Sequence, residues 1–145
     1  MKDIFNKYEK KDENILGLLE DIQTEFNYLS EENIRKVAEA FGVPLSRIFG
    51  ISTFYKSFSL TPKGKHIIWV CSGTACHVRG APKISDRLTQ LLGIEPGGTT
   101  PDNQFTLETV NCLGACALGP LVVIDGKYHG KMSVDKIEKL LQDYK

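Results

Sequence analysis

The sequence lacks the long apolar stretches, the excess of one charge and the glycine-rich nucleotide motifs that mark several large functional classes. No apolar run approaches the ~18–20 residues that a membrane-spanning helix needs. Lysine plus arginine and aspartate plus glutamate number 18 each, a balance that argues against nucleic acid or an anionic membrane as the main partner. There is no G-x-G-x-x-G after an apolar strand-like run and no P-loop, so the sequence predicts no nucleotide site.

Catalytic constellations are missing as well. His66, His77 and His129 have no cysteine or serine arrangement around them that is typical of a nucleophile and its base. No C-x-x-C motif occurs, which weakens the case for disulfide exchange. The first residues lack the continuous apolar core of a secretory signal, so we expect a protein of the reducing cytoplasm without structural disulfides. We therefore expect no bond chemistry from the chain itself.

What the sequence does have is four cysteines in two short pairs. Cys71 and Cys76 enclose four residues, and Cys112 and Cys116 enclose three. An apolar, β-branched run precedes each pair, so each pair is expected at the corner where a strand gives way to a loop. Four thiolates delivered from two such corners suit a metal centre. The spacer of the first pair fits a [2Fe–2S] cluster, in which thiolate pairs hold the two irons.

The spacing alone leaves other uses of these thiols open. Four cysteines allow three disulfide pairings, although the expected compartment is reducing. A structural zinc site would use the same thiolates, and its usual C-x₂₋₄-C pairs are only slightly tighter. A third interpretation is that the four thiols are buried and inert. A glycine inside each pair argues against it. Spacing favours the iron–sulfur cluster over zinc and over thiol chemistry.

The residues around the cysteines narrow the choice. The two stretches are Val70-Cys-Ser-Gly-Thr-Ala-Cys-His-Val-Arg-Gly80 and Val110-Asn-Cys-Leu-Gly-Ala-Cys-Ala-Leu-Gly-Pro120. Both closely resemble, without a gap, the thioredoxin-like [2Fe–2S] subunit family. That family includes the small iron–sulfur subunit beside the flavoprotein of respiratory complex I, and matching subunits of NAD-linked hydrogenases and formate dehydrogenases. The resemblance covers nearly the whole chain, including a helical N-terminal part that ends in Gly50-Ile-Ser-Thr-Phe-Tyr55.

The resemblance implies a site, a cofactor and a partner. Cys71 and Cys76 would hold one iron of a [2Fe–2S] cluster, and Cys112 and Cys116 the other. The chain would then exchange single electrons with a flavin- and NAD(P)H-binding iron–sulfur protein subunit of a multi-subunit oxidoreductase. Whether that complex serves respiration, hydrogen metabolism, formate oxidation or electron bifurcation stays open. We expect a cytoplasmic, non-catalytic electron-transfer subunit that reaches a membrane complex only through partners. The alternative is a zinc-stabilised protein-interaction module without redox activity.

Loop residues near the cysteines have a predicted part in tuning the site. Gly73 and Gly114 lie where the backbone must turn tightly, and N–H groups of these loops can donate hydrogen bonds to sulfur. Arg79 and His77 would favour added electron density electrostatically. An equally good reading makes both of them ordinary exposed loop residues.

The remaining pattern predicts an α+β protein: a helical N-terminal domain, residues 1–61, and a thioredoxin-like [2Fe–2S] domain, residues 62–145, with a mixed sheet and flanking helices. The run 66–70 is nearly all apolar, which is typical of a strand buried on both faces. Gly50 is expected to interrupt the last N-terminal helix. The aromatic run from Phe54 to Phe58 is interpreted first as core. Even so, the helical part has more apolar surface than it can readily bury, and this predicts a partner interface.

Overall fold

The computed structural model describes residues 2–8 and 11–145, and these form two compact units. The first unit ends at Lys63 and the second begins at Gly64. Residues 1, 9 and 10 of the predicted N-terminal domain lie outside the described residues. The predicted division into a helical domain, residues 1–61, and a [2Fe–2S] domain, residues 62–145, stays a prediction. Within the described ranges, no helix has both the length and the apolar character needed to cross a membrane.

The first unit is helical in its described part, and local signals in the sequence set the ends of its helices. The Oγ of Ser30 accepts a hydrogen bond from the N–H of Asn33 at 3.1 Å, which caps the third helix. Gly42 ends that helix in the left-handed conformation, with φ of 64°. The helices are α1 (Lys2–Lys7), α2 (Ile15–Phe26), α3 (Glu31–Phe41) and α4 (Leu45–Phe54), with a 3₁₀ turn at Asp12–Asn14. The buried apolar side chains of this unit, in the helices and in the loops between and after them, are Ile15, Leu18, Leu19, Ile22, Leu29, Ile34, Val37, Ala38, Ile48 and Phe58.

Two expectations for this unit are wrong. Helix α4 continues through Gly50, because burial of its apolar face, including Ile48, outweighs a helix penalty for glycine of about 1 kcal/mol. The aromatic run is core only at Phe58, which is 8% exposed. Phe54 is 78% exposed and Tyr55 is 42% exposed. An apolar run shows which side chains prefer burial, but it does not show which face of a helix has a neighbour.

The second unit is built on a mixed sheet of four strands among the described residues. The order across the sheet is β2-β1-β3-β4, with β1 parallel to β2 and the other two pairings antiparallel. The strands are β1 (His66–Cys71), β2 (Phe105–Val110), β3 (Val122–Ile124) and β4 (Lys127–His129), and the helices are α5 (Thr74–Val78), α6 (Ala81–Leu92) and α7 (Val134–Gln142). Helices and a mixed sheet together confirm the predicted fold class.

Helices α6 and α7 lie on one face of this sheet. Arg87 of α6 pairs with Glu138 of α7. On the same face the ring of His66 contacts Phe105 and also Tyr144, which follows α7. The opposite face carries Trp69, which is 36% exposed and donates its indole N–H to a Glu108 oxygen at 2.9 Å. The prediction that the first strand is buried on both faces is therefore wrong. An apolar run cannot show that both helices pack against the same side.

The pairing of β1 with β2 positions the cysteine loops. Because the two strands are parallel, their carboxyl ends meet at one edge of the sheet. The register places Cys71 opposite Val110, two residues before Cys112. The N–H of Ser72 donates to the Val110 carbonyl at 2.8 Å, which ties the starts of the two loops together.

Candidate metal centre

The four cysteines line one pocket with a volume of about 660 Å³. The first cysteines of the two pairs, Cys71 and Cys112, are 41 positions apart in the sequence. Cys71 is the last residue of β1, and Cys76 lies in the short helix α5. Cys112 lies in the loop after β2, and Cys116 begins a 3₁₀ turn, Cys116–Leu118. All four are free thiols. The structure thus brings together every residue that the sequence analysis assigned to the site.

The two pairs differ in their exposure to water. Cys71 and Cys76 are buried, at 3% and 2% exposure, whereas Cys112 and Cys116 are exposed. The Cys71 thiol is within hydrogen-bonding reach of both Cys76 and Cys112, and Cys76 is close enough to Cys116 for the two to interact electrostatically. The site therefore has one side in the core of the unit and one side at its surface.

Backbone N–H groups point at the sulfur atoms, as the sequence analysis expected. Those of Gly73 and Leu113 lie close enough to the Cys71 sulfur to lower the pKa of its thiol, and that of Leu121 acts in the same direction on the pKa of Cys76. The N–H of Gly114 donates to the Cys112 sulfur at 3.3 Å. Such donors stabilise negative charge on thiolates without adding a charged side chain.

The two buried thiols differ in acidity. Burial raises the pKa of Cys71, but the N–H groups of Gly73 and Leu113 and the two neighbouring thiols together bring that pKa below its usual value. Burial raises the pKa of Cys76, the nearby Cys71 thiol raises it further, and the N–H of Leu121 opposes both effects only in part. Cys71 therefore loses its proton more readily than Cys76, and the resulting thiolate is the form that binds metal.

Two glycines leave room that any side chain would fill. A Cβ at Gly73 would lie 2.9 Å from the carbonyl oxygen of Asn111 and 3.5 Å from the Cys71 sulfur. A Cβ at Gly119 would lie 3.0 Å from the Cys76 sulfur. The backbone of both loops thus approaches the thiols closely. The chemistry of the donor set, four thiols with N–H groups around them, fits an iron–sulfur cluster.

His77 and Arg79 are both exposed loop residues. Arg79 has an additional contact: its Nη1 donates to the Cys116 carbonyl oxygen at 2.8 Å, which links the two cysteine loops. Sequence reasoning missed this contact, the approach of Gly119 to sulfur and the N–H of Leu121. The Gly-Pro-Leu sequence that begins three residues after Cys116 was the available signal for the last two.

No three or more His, Cys, Asp or Glu side chains in residues 2–8 and 11–145 are arranged as ligands of a single metal ion. Each iron of a [2Fe–2S] cluster takes two of the four thiolates, so the cluster requires two pairs that face each other.

Comparison with known proteins gives the family directly. The sequence model of the thioredoxin-like [2Fe–2S] ferredoxin family matches residues 1–145. The NADP-reducing hydrogenase subunit HndA of Solidesulfovibrio fructosivorans is 38% identical over 135 residues, which cover 93% of this chain and 79% of that protein. A subunit of the NADH-quinone oxidoreductase of Aquifex aeolicus (strain VF5) is 32% identical over 144 residues, which cover 99% of this chain and 90% of that protein.

A solved structure supports the fold. The crystal structure of an NAD⁺-reducing [NiFe]-hydrogenase in the air-oxidised state matches with a TM-score of 0.78 at 21% identity, and the match covers 90% of this chain. The matched region is only 22% of that hydrogenase chain, so the likeness concerns the fold.

The match over the whole chain, together with the four converging thiols, settles the choice between zinc and an iron–sulfur cluster that spacing had left open. The chain belongs to the thioredoxin-like [2Fe–2S] ferredoxin family, and its cofactor is a [2Fe–2S] cluster.

Proposed function

We propose that Cys71, Cys76, Cys112 and Cys116 are the ligands of the [2Fe–2S] cluster, with the first two on one iron and the last two on the other. The observation that carries this proposal is that the four thiols line one pocket while both cysteine loops leave the same edge of the sheet. Two Gly-containing loops approach the sulfur atoms closely, and backbone N–H groups donate to them. When bound, a [2Fe–2S] cluster takes up and releases one electron at a time.

Different residues around the cluster have different roles in holding it. The buried Cys71 and Cys76 keep water from one side. The N–H groups directed at sulfur stabilise negative charge and so favour uptake of an electron. The exposed Cys112 and Cys116 leave the other side at the surface, where a partner protein can approach. Electrons therefore enter and leave beside the second cysteine pair.

The proposed partner is a flavin- and NAD(P)H-binding subunit of a multi-subunit oxidoreductase. The two relatives described above carry names of subunits from a hydrogenase that reduces NADP and from an oxidoreductase of NADH and quinone. A nicotinamide gives up two electrons as a hydride, whereas a [2Fe–2S] cluster takes one. A flavin between them converts one kind of transfer into the other.

The helical unit supplies the proposed contact surface for this subunit. Phe54, Phe49 and Tyr55 are exposed at 78%, 52% and 42%. Phe49 also lines an apolar groove of about 520 Å³ together with Leu29, Glu31, Ile34, Leu45, Ser46 and Leu60. Exposed aromatic side chains beside an apolar groove are typical of a protein interface.

Reduction by NADH tests this function. The isolated, cluster-loaded chain is expected to be bleached by dithionite and unaffected by NADH. Adding the flavin subunit should make NADH effective. The double variant Phe49→Ser, Phe54→Ser should keep its visible spectrum but bind the flavin subunit more weakly, whereas Leu91→Ser, which removes an exposed apolar side chain of the other unit, should bind normally. Direct reduction of the isolated chain by NADH would contradict the proposal.

A further inference from the structure

The charges of this balanced chain are unevenly placed. Three stretches of the second unit contain the cysteines or follow them in the chain: residues 71–85, 109–124 and 126–134. None of them contains an aspartate or a glutamate, although the whole chain has 18 acidic and 18 basic residues. The same stretches contain Arg79, Lys83, Lys127 and Lys131, as well as His77 and His129. The nearest carboxylates in sequence lie just outside the stretches. Asp86 follows the first stretch and Glu108 precedes the second, while Asp125 separates the second from the third and Asp135 follows the third.

The fold gathers three of these cations around the cluster loops. The guanidinium of Arg79 is held on the Cys116 carbonyl oxygen at 2.8 Å. The backbone N–H of Lys131 donates to the carbonyl oxygen of Leu118 at 2.6 Å, so Lys131 lies beside the second cysteine loop. Lys83 lines a groove of about 480 Å³ together with Arg79. All three side chains are exposed, and in the described part of the chain none of them pairs with a carboxylate.

Two exposed apolar side chains lie beside these cations. Val78, two residues after Cys76, is 80% exposed, and Leu118, two residues after Cys116, is 44% exposed. Val78 lines both the thiol pocket and the groove that contains Lys83. We call Val78, Arg79, Lys83, Leu118 and Lys131 the cationic collar. An apolar centre with a charged rim is the usual composition of a protein–protein contact.

We propose that the cationic collar docks on an acidic surface of the protein that exchanges electrons with the cluster, a surface with an apolar centre and a rim of aspartates and glutamates. The proposal rests on the proposed function and adds the chemistry of the partner. Carboxylates on the partner would complete the ion pairs that Arg79, Lys83 and Lys131 lack among the described residues. The exposed apolar centre and the small number of cations suit a protein surface better than a phosphate backbone, whose binding relies on many basic contacts.

Charge reversal within the full-length, cluster-loaded chain tests this surface. The first variant combines Lys83→Glu with Lys131→Glu. The matched control combines Lys127→Glu with Lys139→Glu, which changes the net charge equally. Lys127 pairs with Ile124 at the end of the sheet away from the cysteines, and Lys139 lies in the last turn of α7. Both variants should keep the visible spectrum of the wild-type chain.

The first measurement is the affinity for the immobilised flavin subunit at rising sodium chloride concentration. Wild-type affinity should fall steeply with salt, and the Lys83/Lys131 variant should bind about tenfold more weakly at low salt. The control variant should bind within about twofold of the wild type, as expected for charges far from an interface. Equal affinity of the two variants, or a wild-type affinity that salt does not change, would overturn the proposal.

A second measurement separates this proposal from the proposed function. If the wild-type chain does not bind the flavin subunit at all, the proposed partner is wrong. The collar is then judged by the rate at which the radical anion of dithionite reduces the cluster at low ionic strength. That rate should be several-fold lower in the Lys83/Lys131 variant than in the control, because the collar attracts anions. Equal rates in the two variants would overturn the collar as well.

Discussion

Replacing Gly119 by alanine tests how closely the second cysteine loop packs against the buried thiol of Cys76. The new methyl group would lie 3.0 Å from the Cys76 sulfur, 3.3 Å from the Cys116 carbonyl oxygen and 3.6 Å from Nη1 of Arg79. The backbone is not the obstacle, because Gly119 has φ of −63° and ψ of 149°, which alanine adopts freely. The effect must therefore come from crowding of the new methyl group, most of it against the Cys76 sulfur and the rest against the Cys116 carbonyl oxygen.

The size of the effect follows from the overlap. Ordinary contact begins at 3.4 Å, so the methyl group and the sulfur must separate by about 0.4 Å (3.4 minus 3.0). Crowding of this kind in a packed interior costs about 1–3 kcal/mol. Since about 1.4 kcal/mol corresponds to a factor of ten, we expect the Gly119→Ala variant to hold its cluster about 5- to 150-fold less tightly.

The assay is release of iron to a chelator, followed by loss of the visible absorbance. Gly50→Ala is the control, because nothing lies within 4 Å of its would-be Cβ and it occupies the interior of α4. That variant should release iron like the wild type and gain about 0.5–1 kcal/mol of stability in its own helix. Iron release from Gly119→Ala at the wild-type rate would refute the close packing of this loop on sulfur.

Three further outcomes are expected. Cys112→Ser should lose the cluster and loosen the second unit, because metal binding is coupled to folding. His77→Ala should keep its iron and change only the reduction potential. Iron analysis and a redox titration measure both outcomes. Leu88→Ala removes a fully buried side chain of α6 and should lower the free energy of unfolding by about 2–5 kcal/mol in a urea titration. The hydrogen bond from Lys7 holds the pKa of the Asp21 carboxyl below its usual value of 3.8, so its contribution to stability is present above that pH and is lost as pH falls through the lowered pKa. The substitution Lys7→Met should raise the pKa of Asp21, as measured by NMR titration. An unchanged pKa would rule out the Lys7 hydrogen bond as the cause.

The meeting of the two cysteine pairs at one edge of the sheet could be predicted, because patterns that are local in the sequence indicate it. Each pair follows an apolar run that reads as a strand, and parallel pairing of the two strands brings the pairs to one edge. Helix ends such as Ser30 and Gly42 were equally readable, since a side-chain cap and a left-handed glycine act within a few residues. These features depend on neighbours in sequence, which the sequence itself displays.

The features that were missed depend on neighbours in space. The exposure of Trp69 depends on which face of the sheet α6 and α7 cover. The exposure of Phe54 depends on where α4 ends relative to its neighbours. The difference between the buried Cys71 and the exposed Cys112 depends on the depth at which each loop leaves the sheet. Apolar character and spacing contain none of this information.

Metal and sulfide analysis of the anaerobically purified full-length chain, combined with electron paramagnetic resonance after reduction, tests the central claim most directly. The account predicts about two irons and two acid-labile sulfides per chain, and one unpaired electron after uptake of a single electron. It also predicts that serine at any of Cys71, Cys76, Cys112 or Cys116 lowers these values. Stoichiometric zinc without sulfide in protein produced with ample iron, or full iron content in all four serine variants, would contradict it.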